Sequence, residues 1–265
     1  MLKLYHHGSS ACAAKVRFAL EEKNLKWEGV YLDILRGDQF SPEYKAINPK
    51  AVVPTLVHDD YIIPESTVIC EYVDEVFPDH AIYPQDPYQR AKIRVWTKAV
   101  DEELHPACSA ITYIASHRFT ILRNGADTFE EVALEGGAVG AAARSLKWQW
   151  LQNGFAAPGA GEKIRLYEGY LRKMEAALAN SHWLAGNIFS MADISMAPYV
   201  NRLSALSMSA IWRGRMPHVE AWFEKIQDRP AFTAALVKWV PDDLVAEMAE
   251  NGAQAWSEVK AILNI

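Results

Sequence analysis

The sequence predicts an α+β domain with the element order βαβ–ββα, followed by an all-α domain. Three observations carry this prediction. In the first 78 residues, short runs of β-branched and apolar residues alternate with helical patterns, which is typical of βαβ units. From Tyr88 onward, apolar residues recur at helical spacing only. Between these parts, a proline-containing stretch indicates a linker. The predicted boundaries are therefore 1–78, 79–87 and 88–265.

The composition excludes several classes of protein. The chain has 265 residues, 50% of them hydrophobic, which suits a substantial core and excludes disorder. Its 27 basic and 33 acidic residues give a net charge of −6, which argues against nucleic acid or an anionic membrane as the main partner. The three scattered cysteines, Cys12, Cys70 and Cys108, predict neither a disulfide framework nor a metal site. With no signal-peptide core and no membrane-spanning run, we expect a protein of the reducing cytoplasm that holds no metal.

The first part of the chain has a strand–helix–strand pattern. Leu2 to Tyr5 and Trp27 to Leu32 predict strands, and Ala11 to Lys23 predicts the helix between them. Because such a unit of about thirty residues makes a βαβ crossover, we expect its two strands to be parallel. Ser9 or Ser10 would cap the helix, since a serine oxygen accepts hydrogen bonds from the free N–H groups there.

The segment 51–77 predicts the rest of this domain. Two short strands, Thr55 to His58 and Tyr61 to Ile63, are expected to pair as antiparallel neighbours. A helix follows them and ends near Phe77, because apolar residues recur there with helical period.

Two features of that segment point to a ligand. Pro54 offers no backbone N–H and therefore belongs at a strand start or edge, and Val53-Pro54 is a candidate cis peptide. Either arrangement leaves the backbone of Val53 free to pair with an extended peptide. Glu65-Ser66 begins a helix, where free N–H groups and the helix dipole favour an anion. Together they predict a site for a small anionic peptide.

The rest of the chain predicts helices. A buried helix is expected to open at Ser190-Met-Ala-Asp193, a capping-box variant with aspartate in place of glutamate. The other helices are predicted at Tyr88 to Arg118, Phe129 to Gln152, Ile164 to Leu178, Pro217 to Asp228 and Asp242 to Leu263.

This pattern resembles the glutathione S-transferase superfamily over nearly the whole chain. The most specific pieces are VPTL from Val53, Glu65-Ser66, Asn48-Pro49 and SMAD from Ser190. Within the superfamily, ESTVICEYVDEVFP, RVWTKAVDE and LKWQWLQNGF resemble the bacterial β-etherase branch, which cleaves lignin aryl ethers. The resemblance implies a thioredoxin-like domain before the all-α domain, glutathione as co-substrate, a part in lignin degradation, and a dimer of identical subunits or with a paralogue.

The resemblance also implies a set of glutathione contacts. The backbone of Val53 would pair with the cysteinyl unit by strand addition, with Pro54 in the cis form. The γ-glutamyl carboxylate would lie on Ser66, and Glu65 would take the γ-glutamyl ammonium. Gln39 would meet the glycyl end, and Lys50 would substitute for the glutamine or lysine that the family often has at the position of Val52.

Glutathione reacts as its thiolate, so the site needs a group that favours the anion. A hydroxyl donating to the sulfur at a helix N-terminus would do so. Ser10 matches the activating serine of theta-, delta- and zeta-like members, and Ser9 is the alternative. Cys12 is a third candidate, which would form mixed disulfides with glutathione as in omega-like members, unless it is only a small buried residue of the first helix.

The electrophile site is expected between the two domains. The first loop, with His6 and His7, and the helix carrying Tyr113 and His117 would line it, and the stretch around Trp148 would cover it. Aromatic side chains there would stack on an aromatic substrate. The competing interpretation for each residue is core packing. His6 and His7 have no third metal ligand nearby in the sequence.

Three functions fit this sequence. The first is a glutathione-dependent transferase of the β-etherase type, in which the thiolate displaces an aryloxy group. The second is a zeta-like isomerase or an omega-like thiol reductase that uses the same thiol. The third is a non-catalytic subunit that keeps the transferase fold. The partners expected are glutathione and a small aromatic or hydrophobic electrophile.

Overall fold

The computed structural model describes residues 1–124 and 141–265. Its N-terminal domain contains a four-stranded sheet of order β2-β1-β3-β4. The strands β1 and β2 are parallel and the strands β3 and β4 are antiparallel, as the sequence predicts. The structure adds that β1 and β3 pair antiparallel. The elements in chain order are β1 (Leu2–His6), α1 (Ala11–Glu22), β2 (Trp27–Tyr31), α2 (Pro42–Ile47), β3 (Thr55–His58), β4 (Tyr61–Pro64) and α3 (Ser66–Val76).

The register of the sheet brings three loops to one end of it. Tyr5, near the end of β1, is opposite Thr55 at the start of β3. Thr55 is in turn opposite Pro64 at the end of β4. The loop after β1, the turn before β3 and the start of α3 therefore lie at the same end of the sheet. Residues far apart in the sequence are gathered there by strand pairing alone.

The second domain is helical in the described residues. Its helices are α4 (Pro87–Ala99), α5 (His105–Thr112), α6 (Arg118–Asn124), α7 (Ala141–Asn153), α8 (Ala160–Leu178), α9 (Met191–Ala205), α10 (Pro217–Gln227) and α11 (Asp242–Leu263). The described helices include none that is both long enough and apolar enough to cross a membrane.

The first helix of this domain is longer than the sequence predicts and is interrupted twice. Two π-helical segments, Val100–Leu104 and Tyr113–His117, join α4, α5 and α6 into one helical stretch that reaches Asn124. Wider π turns shift the side chains that follow them, and they are frequent near functional sites. The helix predicted at Phe129 to Gln152 is described only from Ala141, and its first part lies outside the described residues.

The helix α9 lies at the centre of the second domain and begins with the predicted capping box. The side chain of Ser190 accepts from the start of the helix, and the Asp193 carboxylate accepts from the Ser190 N–H at 3.1 Å. Asp193 also accepts from the Leu184 N–H at 3.0 Å and the Trp222 indole N–H at 2.9 Å. Because these donors are buried, the carboxylate fixes α9 against its neighbours.

The two domains meet along α1. This helix packs against α3 on one side and against α9 and the segment Thr233–Val237 on the other. Lys15, which is buried, donates to the Thr67 hydroxyl at 2.7 Å and to the Asp101 carboxylate at 2.9 Å. A buried cation needs such a partner, so this link fixes the start of α3 relative to the second domain.

Candidate functional site

The turn before β3 is held from beneath by two side chains. The Val53-Pro54 bond is cis, as predicted. The carbonyl of Val52 accepts from the Tyr44 hydroxyl at 2.6 Å and from the Asn48 amide at 3.0 Å. Both side chains also lie 2.9 Å from the Thr55 hydroxyl oxygen. Asn48, of the Asn48-Pro49 motif, therefore has a structural role in fixing the turn before β3.

The turn leaves Val53 with an available backbone edge. Within the described part of the chain, neither its N–H nor its carbonyl is hydrogen-bonded. Val53 is partly exposed, so an extended peptide can reach both groups.

The start of α3 lies beside this edge. Glu65 has φ of +68°, a backbone conformation that is strained for a residue with a side chain and that concentrates at functional sites. Its carboxylate is exposed and pairs with Lys50 at 2.6 Å. Ser66 is the first residue of α3 and is buried. Its N–H belongs to the free amino end of the helix, which makes it suitable for a carboxylate.

The two further side chains predicted to contact glutathione, Gln39 and Lys50, both have partners within the chain. The Gln39 amide nitrogen donates to the Ile34 carbonyl at 3.3 Å, and its buried amide oxygen has no hydrogen-bond partner in the described structure. Lys50 is bound to the Glu65 carboxylate. The unpaired acceptor atom of Gln39 is buried and would not bind a carboxylate, and Lys50 would act on a ligand together with Glu65.

Ser10 is the N-cap of α1. Its side-chain oxygen accepts from the Ala13 N–H at 3.2 Å. The hydroxyl proton has no acceptor within the described residues, and the side chain is partly exposed. A sulfur at this position would therefore receive both a hydroxyl proton and the positive end of the helix dipole.

Ser9 lies deeper, between two imidazoles. Its hydroxyl oxygen is 3.1 Å from His7 Nδ1 and 3.2 Å from His117 Nε2, and only 6% of the residue is exposed. Burial, followed by the charges of Arg17 and Arg202, lowers the pKa of His7 to about 3, so His7 is neutral at pH 7. Ser9 thus links the first loop to the helical domain from a buried position.

Cys12 takes part in a second polar cluster. Its sulfur lies 3.2 Å from His105 Nδ1 and 3.6 Å from the Tyr199 hydroxyl, and the residue is partly exposed. Burial would raise the pKa of the thiol, but the charge of His105, its hydrogen bond and the charge of Lys15 lower that pKa to about 6. The surroundings of Cys12 therefore favour its thiolate form. A lowered thiol pKa is typical of reactive cysteines and not of inert buried ones.

The four residues assigned to the electrophile site have different surroundings. His6 is fully buried and enclosed by the rings of Trp27, Tyr31 and Trp239. His7 and His117 contact Ser9, as described above. Tyr113 is partly exposed and meets His117 edge-on, with 5.8 Å between ring centroids. In residues 1–124 and 141–265, no cluster of three His, Cys, Asp or Glu side chains is placed to hold a metal ion.

A cavity of about 230 Å³ lies beside Ser10. The amino end of α1, helix α9, the segment Thr233–Val237 and helix α11 form its walls, which are mostly apolar. The polar side chains that line it are Ser9, Ser10, Asn201 and Arg202. The histidines and Tyr113 do not line this cavity. Arg202 was not among the predicted site residues, although a charged residue inside a helix predicted to be buried was a signal that could have identified it.

The fold and this site define a class of protein. The glutathione S-transferase N-terminal domain model matches residues 4–81, and the C-terminal domain model matches residues 157–230. The chain belongs to the glutathione S-transferase family. Its enzyme class is that of glutathione-dependent transferases, as the sequence resemblance predicted.

Particular relatives refine this placement. The chain is 33% identical over 257 residues to Protein LigF of Sphingobium sp. strain SYK-6, covering 95% of this chain and 99% of LigF. The crystal structure of β-etherase LigF superimposes with a TM-score of 0.80 at 32% identity, covering 89% of this chain and 99% of that one. Glutathione S-transferase Z1 of Arabidopsis thaliana is 29% identical over 91% of this chain and 94% of its own length. Glutathione transferase F7 of Populus trichocarpa has a TM-score of 0.66 at 27% identity, covering 94% and 99%.

Proposed function

We propose that this protein is a glutathione-dependent β-etherase that acts on aromatic β-aryl ethers. One observation carries the proposal: the available edge of Val53, the amino end of α3 at Ser66 and the Ser10 hydroxyl lie at one end of the sheet. A peptide that binds to that edge with its carboxylate on α3 has its sulfur near the amino end of α1. The similarity to LigF supports the ether as substrate.

The reaction follows from this placement. The glutathione thiolate attacks the carbon that bears the aryloxy group, so that a C–S bond forms while the C–O bond breaks. The aryloxy oxygen keeps the electron pair and leaves as a phenolate, which takes a proton from solvent. The Ser10 hydroxyl and the α1 dipole stabilise the thiolate, and the Val53 edge and Ser66 orient the peptide. The chain supplies orientation and charge stabilisation, and glutathione supplies the nucleophile.

The proposal is tested with a β-aryl ether whose phenol absorbs light on release. We expect phenol and a glutathione conjugate in equal amounts, and neither without glutathione. Ser66→Ala should weaken glutathione binding about tenfold, since it removes a hydrogen bond to a charged group.

A matched control is Asp86→Ala, which removes the N-cap of α4, an exposed hydrogen bond of 2.8 Å to the Gln89 N–H, outside the site. It should leave glutathione binding unchanged. Glutathione bound normally while no β-aryl ether of a varied panel is cleaved would contradict the proposal.

A second candidate function is favoured by the Cys12–His105 pair. In a thiol reductase, the Cys12 thiolate would attack the glutathione sulfur of a mixed disulfide and release the other thiol. A second glutathione thiolate would then attack the Cys12–glutathione disulfide, restoring Cys12 and forming oxidised glutathione. Activity that survives Ser10→Ala but is lost in Cys12→Ala would favour this function over ether cleavage.

We also propose a dimer in the cytoplasm. Large apolar side chains are exposed on β4, α3 and α4, where Tyr61 is 69%, Val68 52% and Val95 70% exposed. The Arg94–Glu71 ion pair of 3.0 Å joins α3 to α4, so their exposed residues belong to one surface. Three free cysteines suit a reducing compartment. Light scattering after gel filtration should give twice the chain mass, and Val95→Glu should reduce it to one.

A further inference from the structure

The cavity beside Ser10 contains a buried charge that has no counter-ion among the described residues. Arg202 lines the cavity, and only 7% of the residue is exposed. Its guanidinium donates to the Ser9 carbonyl and lies 3.4 Å from the Met248 sulfur. Within residues 1–124 and 141–265, no carboxylate lies within ion-pair distance of it. A carbonyl and a thioether carry no net charge, so they accept hydrogen bonds from the guanidinium without neutralising its charge.

This is unusual for a buried arginine. Removing a guanidinium from water is costly, and buried charges are therefore normally paired. The acidic residue nearest along α11, Glu247, is engaged elsewhere, with Arg123 at 2.9 Å and Thr120 at 2.6 Å. The positive field is also felt at His7, whose pKa Arg17 and Arg202 both lower after burial. The cavity therefore offers a positive charge to whatever enters it.

The other residues that line the cavity indicate the chemistry and size of the rest of the ligand. Pro198, Leu236 and Val240 are among the apolar residues of the cavity. A volume of about 230 Å³ exceeds the roughly 150 Å³ of an engineered cavity that admits benzene. It has room for one aromatic ring with a short side chain. Asn201 adds one amide beside the guanidinium.

We propose that this cavity binds an aromatic electrophile through a carboxylate, which Arg202 pairs with. Arg202 is then the residue that makes the enzyme prefer acidic over neutral substrates. The guanidinium has five N–H groups and uses one on the Ser9 carbonyl and one on the Met248 sulfur. Three donors remain, which is enough for both oxygens of a carboxylate. In the glutathione binding mode described above, the carboxylates of the tripeptide lie at Ser66 and at the glycyl end. The anion at Arg202 therefore belongs to the second substrate.

The inference rests on the proposed function but is tested by binding, without turnover. The probes are 3-phenylpropanoate and its neutral isostere 3-phenylpropanamide, titrated calorimetrically into the glutathione-loaded protein. We expect the acid to bind at least about tenfold more tightly than the amide, as a charge-assisted hydrogen-bonded pair requires. Equal affinities in the natural protein would overturn the inference.

Substitutions at Arg202 test whether this side chain causes the preference for the acid. Arg202→Met should abolish the preference for the acid while amide binding stays within a few-fold, and Arg202→Lys, which keeps the charge, should retain part of it. The matched control is Arg213→Met, because Arg213 is exposed and lies outside the cavity. A preference that survives Arg202→Met would also overturn the inference. If Arg202→Met does not fold, the acid-to-amide ratio in the natural protein and in Arg202→Lys decides.

The two proposals fail separately. An acid preference that depends on Arg202, together with no cleavage of any β-aryl ether, refutes the proposed reaction and leaves the anion site standing. Cleavage of β-aryl ethers with equal kcat/KM for matched acid and amide substrates refutes the anion site and leaves the reaction standing.

Discussion

Replacing Ser10 tests how the glutathione thiol is activated. The Ser10 hydroxyl has two roles in the structure: it accepts from the Ala13 N–H at 3.2 Å as the N-cap of α1, and its proton is available to a ligand sulfur. Ser10→Ala removes both roles. Ser10→Gly removes the proton but keeps an acceptable N-cap residue, because glycine is tolerated there. The pair of variants therefore separates chemistry from helix capping.

The magnitudes follow from these contacts. A hydrogen bond to a charged group contributes about 1.5–3 kcal/mol, which at 1.36 kcal/mol per unit corresponds to about 1–2 pKa units. Both variants should therefore raise the pKa of bound glutathione by about that amount and lower kcat about 10–100-fold at neutral pH. Since the thiolate fraction recovers as pH rises, the loss should shrink at alkaline pH. Folding should suffer by about 1 kcal/mol in Ser10→Ala and by a few tenths in Ser10→Gly.

The assay is an ultraviolet titration of the bound thiolate, with urea unfolding alongside it. Asp86→Ala also loses an N-cap and should cost similar stability, but it should leave the thiol pKa unchanged. Ser9→Ala should likewise leave that pKa unchanged, because the Ser9 hydroxyl is buried between imidazoles. An unaltered thiol pKa in both Ser10 variants would refute the assignment of Ser10, and a raised pKa in Ser9→Ala would transfer the role to Ser9.

Three further predictions concern other parts of the structure. The rate of Cys12 alkylation by iodoacetamide should rise with pH through a midpoint near 6 and then level off, because His105 outweighs burial in setting the pKa of the thiol at about 6. His105→Asn should move this midpoint to higher pH, and an unchanged midpoint would show that His105 does not set the pKa of Cys12. Asp193→Ala should lower the free energy of unfolding by about 3–5 kcal/mol, since buried donors lose their carboxylate, and a loss below 1 kcal/mol in urea titration would contradict this. Asn48→Ala should weaken glutathione binding in calorimetry, because the Val52 carbonyl and the Thr55 hydroxyl lose a partner; unchanged affinity would show that the Tyr44 hydroxyl suffices.

Much of the fold could be read from local pattern. The strand and helix bounds of the first domain, the cis Val53-Pro54 bond and the capping box at Ser190 all agree with expectation. Each of these depends on a few consecutive residues, whose backbone preferences and periodicity are visible in the sequence. The π-helical segments were not predicted, because a wider turn changes the backbone by one residue without changing the apolar pattern enough to detect.

The candidate site also has a part that depends on local sequence and a part that depends on long-range contacts. Motifs within one turn or cap, such as Val53-Pro54 and Glu65-Ser66, are local, and the sequence alone predicted a ligand edge and an anion site there. The partners of single side chains are not local. Cys12 meets His105 across 93 residues, and Ser9 meets His117 across 108.

Sequence by itself determined the βαβ–ββα and helical architecture and the cis turn at Val53-Pro54, because these follow from short-range backbone preferences and hydrophobic period. Its motifs also predicted the family. Tertiary structure alone decided that His105 lies beside Cys12 and lowers the pKa of its thiol, and that Ser9 is enclosed by imidazoles. It also decided that Arg202 lines a cavity with no counter-ion among the described residues. Charge, burial and hydrogen bonding are properties of what surrounds a side chain, and that surrounding is assembled from helices distant in the sequence.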